Sequence, residues 1–189
     1  MKVLMICTVP LAGNGISTCV IHYACGLADE GIQSNILAPQ GVPSHIMQRL
    51  AQKNVVLHEL PNRKEGTVKY LLELYRHLRH GRYDIVHIHG NSCTMALELM
   101  AAALAGCPVW IAHGHSTNCE HQKAHRLLRP FFELFVSARV SCGDEAGRWL
   151  YRRKPYTVVR NGIYPEAFAP DSAIRAEVRS KLNIPQDTL

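Results

Sequence analysis

The amino-acid sequence predicts an α/β protein in which a parallel β-sheet is covered by α-helices on both faces. Short apolar runs alternate along the 189 residues with longer segments whose apolar side chains recur at helical spacing. Glycine and proline residues stand where one kind of segment gives way to the other. The composition, with 47% hydrophobic and 19% charged residues, is that of an ordinary globular domain.

Seven short apolar runs are predicted as strands. The first run ends at Pro10 and a turn that contains Gly13 and Gly15, and Pro39 and Pro61 end the second and third runs. The predicted strands, in chain order, are 3–8, 34–38, 55–60, 84–89, 109–113, 138–142 and 156–159.

Seven longer segments are predicted as helices because their apolar residues recur every three or four positions. Gly31 and Gly81 follow the first and third segments, and glycine commonly ends a helix. Pro43 suits the start of the second helix, and Ser172 is predicted to cap the last one. Pro130 is predicted to kink or break the fifth helix. The predicted helices are 17–30, 43–52, 67–80, 92–105, 122–135, 144–151 and 172–182.

These elements form one Rossmann-like, doubly wound domain over residues 1–170, followed by a terminal helix or linker over residues 171–189. The sequence contains no apolar run of the roughly 20 residues needed to cross a bilayer. Its start indicates a buried strand rather than a signal peptide, so we expect the protein in the cytoplasm. The seven cysteines are odd in number and widely spaced, which argues against a disulfide framework or a zinc ribbon.

Basic residues give the chain a net charge of +6, which permits attraction to anionic surfaces. They cluster at 76–82, 123–129 and 152–154, but no aromatic residues are interleaved as a base-stacking surface requires, so nucleic-acid binding is not expected. The apolar stretch 127–135 has basic neighbours. We interpret it as the core-facing side of a helix, with peripheral membrane contact as the alternative.

Ligands of doubly wound sheets bind outside the carboxyl ends of the strands. The predicted strand ends therefore identify the loops of a candidate site. These loops hold much of the glycine, histidine and polar content of the chain, and they are 10–15, 39–41, 89–91, 113–118, 143–144 and 160–163.

The first of these loops contains Gly13 and Gly15 between a strand and a helix. Glycines let the backbone approach a ligand, and a helix N-terminus favours an anion. The loop lacks the dinucleotide fingerprint, because Thr18 takes the place of the third glycine and no acidic residue ends the second strand. NAD binding is therefore not predicted, and a tight turn without a ligand is the alternative.

Histidine is unusually frequent, with eleven in the chain. His87 and His89 alternate along the fourth strand and so share one face of it. We interpret His87 as a buried residue bonded to backbone. His113 and His115 flank Gly114 at the end of the fifth strand, where a neutral imidazole can accept a proton from a hydroxyl or donate to a phosphate or sugar oxygen.

Metal and nucleophile chemistry find less support in the sequence. Five potential metal ligands lie within thirteen positions, namely His113, His115, Cys119, His121 and His125. Their spacing matches no zinc motif, and no glutamate follows His121, so no metal site is predicted. No Gly-x-Ser-x-Gly motif occurs, so a hydrolase is unsupported.

Five short motifs follow one another along the chain: GNGIS at 13–17, DIVHIH at 84–89, AHGHS at 112–116, ARVSC at 138–142 and VVRNGI at 158–163. In this order and spacing they resemble family 4 of the retaining glycosyltransferases, of the GT-B class. The resemblance covers essentially the whole chain. Tyr164 stands where the family usually has an aspartate.

The resemblance implies two facing Rossmann-like domains with an active site in the cleft between them. This chain would be the N-terminal, acceptor-side half, and a C-terminal domain absent from it would bind the donor nucleotide. The enzyme would transfer a hexose from a nucleoside diphosphate sugar to a sugar or lipid-linked acceptor, with retention, in polysaccharide or glycolipid synthesis. It would need no metal or other cofactor, and the chain alone would be inactive or nearly so.

Site roles follow from the same resemblance. His113 or His115 would act at the reaction centre, and strand register favours His113. The residues facing the donor phosphates would be Gly13, Asn14, Gly15, Asn161 and Gly162. The residues binding the acceptor would be His89, Asn91, Ser116 and Asn118. Two alternatives stay open, an enzyme like the nucleotide-sugar epimerases and a non-catalytic, flavodoxin-like binding module.

Overall fold

The computed structural model describes residues 1–185 and 188, over which strands alternate with helices. The strands are β1 (Lys2–Cys7), β2 (Gln33–Pro39), β3 (Val56–Leu60), β4 (Ile85–Gly90), β5 (Val109–Gly114), β6 (Ala138–Ser141) and β7 (Thr157–Val158). The helices are α1 (Gly15–Asp29), α2 (Ser44–Gln52), α3 (Thr67–Gly81), α4 (Ala96–Leu104), α5 (Gln122–Phe135), α6 (Asp144–Tyr151) and α7 (Ser172–Lys181). Two 3₁₀ turns lie at Cys93–Met95 and Pro165–Phe168.

The strands form one parallel sheet in the order β3-β2-β1-β4-β5-β6-β7. The chain winds from β1 to one edge, returns to the middle at β4, and then winds to the other edge. β1 and β4 lie side by side, with Cys7 paired to His89 near their carboxyl ends. This topology confirms the predicted doubly wound, Rossmann-like fold, and it leaves a crevice outside the carboxyl ends of β1 and β4.

The sheet separates two hydrophobic cores. Met5 and Cys7 on one face of β1 pack with side chains of α1 and α2. Leu4 and Ile6 on the other face join apolar side chains of α3, α4, α5 and α6. Leu4 and Ile6 are fully buried, and burying an aliphatic side chain of this size stabilises the fold by about 1.5–3 kcal/mol. Helices therefore cover both faces, as predicted.

Two helices differ from their predicted form. α4 begins four residues later than the predicted start at residue 92, because the Ser92 side chain caps a 3₁₀ turn by accepting from the Thr94 backbone N–H. α5 continues through Pro130, so the predicted break does not occur there. None of the helices in the described part of the chain has both the length and the apolar character that crossing a bilayer requires.

The segment predicted as a terminal helix or linker, residues 171–189, begins with α7. The carboxylate of Asp171 caps this helix by accepting from the backbone N–H groups of Ala173 and Ile174 at 2.8 and 2.9 Å. The predicted cap, Ser172, is instead the first residue of the helix. Gln186, Asp187 and Leu189 lie outside the described residues. The boundary at residue 170 stays a prediction.

Candidate functional site

Two adjoining cavities open at the crevice between β1 and β4, where the topology favours a ligand. The first, here called the α1 cavity, has a volume of about 420 Å³ and lies at the N-terminus of α1. The second, the β3 cavity, has a volume of about 480 Å³ and is bounded by the loop that follows β3. Val9, Asn91 and Ser116 line both cavities, so the two spaces share a wall.

The α1 cavity brings together four of the loops identified from the strand ends. Its lining residues are Val9, Asn14, Gly15, Ile16, Asn91, His115, Ser116 and Asn161. Gly15 and Ile16 belong to the first turn of α1, whose backbone N–H groups have no partner within the helix. These N–H groups and the helix dipole make this end of the cavity suited to an anion.

Asn14 holds the loop that precedes α1. Its Oδ1 accepts from the backbone N–H of Ser17 at 3.0 Å, which caps the helix, and its Nδ2 donates to the Pro10 carbonyl at 3.1 Å. The buried Ser17 hydroxyl donates to the same carbonyl at 3.0 Å. The side chain of Asn14 is therefore engaged in the loop, and the anion-binding groups at this end are backbone amides.

The loop between β3 and α3 supplies one wall of the β3 cavity, and the sequence pattern did not single it out. Its residues Asn62, Arg63 and Lys64 follow directly on Pro61, which ends a predicted strand. That position after a strand is the sequence feature that could have identified the loop. The polar lining of the cavity consists of Thr8, Asn62, Arg63, Lys64, Asn91, Ser92, Thr94, Ser116, Asn118, Glu120 and His121. These amide, hydroxyl and charged groups offer both donors and acceptors to a ligand rich in hydroxyls.

Arg63 is held in this wall by a buried acid. Its Nη1 donates to Glu98 Oε1 at 2.9 Å and to the Thr94 carbonyl at 3.2 Å. The Tyr70 hydroxyl donates to the same Glu98 oxygen at 3.2 Å. Because Glu98 is only 1% exposed, its charge needs a partner, and Arg63 provides one. The pair ties the loop after β3 to α4 and so fixes one wall of the cavity.

Four imidazoles lie in contact on the α1 side of β4 and β5, where the strand register places His89 opposite His113. His89 Nδ1 lies 2.9 Å from His115 Nε2, and His87 Nε2 lies 3.2 Å from His113 Nδ1. The Tyr23 ring, from α1, stacks on this cluster with its centroid 5.9 Å from that of His113. His87 therefore bonds to a histidine side chain, where a backbone partner was predicted.

These imidazoles are neutral in the folded chain. Burial, with a smaller effect of His115, lowers the pKa of His87 to about 3. Burial, followed by repulsion from His115 and His87, lowers the pKa of His113 to about 2. Burial lowers the pKa of His115 to about 4, and burial with three histidine neighbours lowers that of His89 well below its usual value. At neutral pH each ring thus has one N–H donor and one acceptor nitrogen.

The structure brings most of the predicted site residues to the two cavities. Those that line the α1 cavity are Asn14, Gly15, Asn91, His115, Ser116 and Asn161, and Asn118 lines the β3 cavity. Among the described residues, four predicted ones line neither cavity: Gly13, His89, His113 and Gly162. His89 and His113 are fully buried and contact His115. His115 is thus the predicted reaction-centre histidine that lines a cavity.

The loop after β7 reaches the α1 cavity because it packs against α1. The Cys19 thiol donates to Asn161 Oδ1 at 3.1 Å, and His22 Nδ1 lies 3.2 Å from the Gly162 carbonyl oxygen. The His22 and Tyr164 rings meet edge to face, with centroids 4.9 Å apart. These contacts bring Asn161 to the middle of the sheet although β7 is an edge strand.

Sequence comparison shows similarity to glycosyltransferases. Residues 13–167 match the profile of Glycosyltransferase Family 4. The putative glycosyltransferase EpsF of Bacillus subtilis (strain 168) is 32% identical over 120 residues, which are 58% of this chain and 31% of that protein. The UDP-Gal:alpha-D-GlcNAc-diphosphoundecaprenol alpha-1,3-galactosyltransferase of Escherichia coli is 32% identical over 114 residues, 54% of this chain and 29% of that protein.

Structure comparison finds the same fold in proteins of known structure. Anabaena Alr3699/HepE, solved in complex with UDP and glucose, superposes with a TM-score of 0.75 at 15% identity, over 97% of this chain and 50% of that one. The chain therefore spans half the length of HepE and 31% and 29% of the two sequence relatives. Because the family match extends over residues 13–167, most of the chain, this protein belongs to Glycosyltransferase Family 4.

Proposed function

We propose that this chain forms the acceptor side of a retaining glycosyltransferase. The enzyme would transfer a hexose from a nucleoside diphosphate sugar to the hydroxyl of a sugar or lipid-linked acceptor. The observation that carries the proposal is the pair of adjoining cavities, one ending on the N-terminus of α1 and the other lined by amides, hydroxyls and paired charges. Family membership favours transfer over an epimerase-like reaction or a non-catalytic binding module.

The α1 cavity suits the leaving group of this reaction. When the bond between the sugar and the diphosphate breaks, negative charge develops on the diphosphate. Gly15 and Ile16 line this cavity, and the N–H groups of this first turn would stabilise that charge. The proton of the acceptor hydroxyl would pass to the leaving phosphate, so transfer needs no carboxylate pair on this chain. The family resemblance implies that the reaction also needs no metal ion at the diphosphate.

The β3 cavity suits the acceptor, and the wall between the cavities suits the reacting centre. Asn91 and Ser116 belong to both cavities, and His115 lines the α1 cavity beside them. Since burial keeps the pKa of His115 at about 4, this ring would contact the reacting sugar as a neutral group rather than as a cation. His89 Nδ1, 2.9 Å from His115 Nε2, would hold the ring in position.

The relatives support the substrate classes of this proposal. HepE was solved with UDP and glucose, and the Escherichia coli relative is named for galactosyl transfer from UDP-Gal to a diphosphoundecaprenol-linked sugar. Both relatives are longer than this chain. We therefore infer a UDP-hexose donor, bound largely by a second domain, and a lipid-linked acceptor.

Peripheral contact with a membrane is the second part of the proposal. The described stretch 127–135 does not turn all its apolar residues to the core, because Leu127 and Leu134 are 73% and 74% exposed. Lys123, one turn before Leu127, is also exposed. Beside α5, helices α3 and α4 enclose an apolar groove of about 500 Å³, lined by Val68, Leu71, Leu72, Tyr75, Leu97, Met100, Ala101 and Leu104. An apolar face with a basic residue at its border fits the surface of an anionic membrane.

Sedimentation with vesicles tests the membrane contact. The chain is expected to sediment with phosphatidylglycerol vesicles, and Leu127→Asp combined with Leu134→Asp is expected to release it. Met47→Asp is the matched control, because Met47 is an exposed apolar residue on α2. Equal sedimentation of all three proteins would remove this part of the proposal.

A transfer assay tests the function itself. The product of the complete natural gene is incubated with radiolabelled UDP-hexoses and a lipid-linked sugar, in the presence of a chelator. We expect a glycosylated lipid whose new anomeric centre, determined by NMR, has the configuration of the donor. The 189-residue chain assayed alone is expected to give no product. Absence of transfer from every UDP-hexose would overturn the proposal. A product of inverted configuration would overturn retention, and dependence of transfer on added Mg²⁺ would overturn transfer without a metal.

A further inference from the structure

His87, His89 and His113 form a triangle of imidazoles behind His115. Their ring centroids are 4.1 Å apart for His87 and His89, 5.1 Å for His89 and His113, and 5.3 Å for His87 and His113. One potential ligand nitrogen from each ring lies within 4.8 Å of those from the other two. His89 and His113 are fully buried, and Tyr23 stacks on the triangle from α1. Three side-chain nitrogens this close together can share one ion.

The hydrogen bonding of the four imidazoles is incomplete. Two hydrogen bonds join them in pairs, His87 with His113 and His89 with His115. Within the described part of the chain, Nε2 of His89, Nε2 of His113 and Nδ1 of His115 are buried without a hydrogen-bond partner. A polar atom left buried and unpaired destabilises the folded state. A ligand that binds the unpaired nitrogens of His89 and His113 would therefore stabilise the fold.

The chemistry of the donors selects the kind of ligand. Neutral imidazole is a ligand of Zn²⁺, Cu²⁺, Ni²⁺ and Co²⁺, whereas Mg²⁺ and Ca²⁺ prefer oxygen. Three histidines with a fourth position open to solvent groups is an arrangement that zinc proteins use. We propose that His87, His89 and His113 bind one divalent transition-metal ion, Zn²⁺ in the first place, with water or an anion as the fourth ligand.

Binding requires a small rearrangement that the structure defines. A neutral imidazole has one lone-pair nitrogen, so His87 and His113 cannot both coordinate the ion and keep their mutual hydrogen bond. Coordination would replace that bond. Tetrahedral coordination at about 2.0–2.1 Å places the ligand nitrogens about 3.4 Å from one another. These nitrogens now lie within 4.8 Å of one another, so each pair would need to move closer by at most about 1.4 Å.

His115 would remain outside the coordination shell and support it. If the Nδ1–H of His89 donates to His115 Nε2, at the observed 2.9 Å, the lone pair of His89 is on Nε2 and available to the ion. Ligating histidines commonly donate their second nitrogen in this way. The three proposed ligands are not among the residues that line the α1 cavity, whereas His115 is. This inference does not depend on the proposed function.

Cobalt absorption and calorimetry test the proposal. The chain is freed of metal with a chelator, which is then removed, and titrated with Co²⁺ and separately with Zn²⁺. We expect one ion per chain, visible d–d absorption of tetrahedral Co²⁺ that Zn²⁺ displaces, and no heat from Mg²⁺. His89→Gln and His87→Gln are each expected to weaken Zn²⁺ binding by about tenfold or more. His45→Gln, which removes an exposed histidine on α2, is the matched control and is expected to bind as the wild type does.

A second measurement covers the case in which a substitution of a buried histidine prevents folding. Zn²⁺ at a hundred times its Kd is expected to raise the Tm of the wild-type chain, since the ion binds the folded state. X-ray absorption should then show three imidazole ligands. No rise in Tm together with no cobalt absorption would overturn the proposal, as would binding that persists in the folded His87→Gln, His89→Gln double variant. These measurements use neither a sugar donor nor a sugar acceptor. Absence of metal binding would therefore leave the transferase proposal unaffected, and absence of glycosyl transfer would leave the metal-site proposal unaffected.

Discussion

Mild acid is expected to destabilise this protein through its buried histidines. The pKa values of His87, His113 and His115 lie at about 3, 2 and 4 in the folded chain, and that of His89 lies well below its usual value. In the unfolded chain each histidine titrates near about 6.5. Between these values the unfolded state binds more protons than the folded state, so the free energy of unfolding falls as the pH falls.

The size of this effect follows from the proton count. For one histidine that titrates at about 6.5 only when unfolded, lowering the pH from about 6.5 to 5.0 favours unfolding by about 1.6 kcal/mol. The four histidines of the cluster together give about 6–7 kcal/mol, against a total stability of about 5–15 kcal/mol for a typical domain. The contribution is complete above the unfolded-state pKa and is lost progressively as the pH drops toward the folded-state values. Unfolded carboxylates titrate near about 4, below this window.

Urea unfolding between pH 8 and 5, followed by circular dichroism, measures the effect. A chelator is present throughout, because metal binding to histidine also depends on pH. Near pH 5.5, His87→Gln is expected to reduce the slope of unfolding free energy against pH by about 1.2 kcal/mol per unit, because one proton fewer is linked to unfolding. The exposed His45→Gln control should keep the wild-type slope. A wild-type stability that is constant from pH 7 to 5 would refute the reasoning.

Three substitutions test the packing around the site, each by urea unfolding at pH 7.5. Glu98→Ala leaves its 24%-exposed arginine partner without a counter-charge and is expected to cost about 3 kcal/mol; an unchanged stability would mean that the pair does not hold the wall. Tyr151→Phe removes a buried hydroxyl that bonds carbonyls of β5 and β6, and should cost about 1–2 kcal/mol, whereas no loss would show that the hydroxyl is dispensable. Gly90→Ala places a methyl group 2.6 Å from the Thr8 hydroxyl and should cost about 1–3 kcal/mol. Alanine at Gly13, where no atom lies within 4 Å, is its control and should change stability little.

Most of the fold is predictable from the sequence because it depends on local patterns. Apolar runs of strand length, helical spacing and punctuating glycines and prolines act within a few residues, and they specify the strands and helices in order. The helix starts that differ from the prediction depend on which side chain caps the first turn. Ser92 caps a 3₁₀ turn before the helix proper begins, and Asp171 rather than Ser172 supplies the better-placed side-chain oxygen.

The site is less predictable because tertiary packing assembles it. The strand ends identify His115 and Asn91, since parallel strands end at one edge. Nothing local shows that Tyr23 of α1 covers His113, or that a carboxylate in the apolar α4, that of Glu98, is the partner of Arg63. The first contact joins residues 90 positions apart in the chain, and the second joins residues 35 positions apart. The periodicity of a sequence predicts on which face of a strand or helix a residue lies. It does not predict which residue of another element packs against that face.

If the α1 and β3 cavities form one active site, a change at Asn91 should impair the reaction. Asn91 lines both cavities, and its Oδ1 is buried without a partner in the described part of the chain. The measurement is kcat/KM for glycosyl transfer by the complete natural gene product, wild type against Asn91→Ala, with His45→Ala as control. We expect kcat/KM to fall by about tenfold or more for Asn91→Ala, equivalent to about 1.4 kcal/mol of lost transition-state binding, while the free energy of unfolding stays unchanged. A kcat/KM equal to that of the wild type would contradict it.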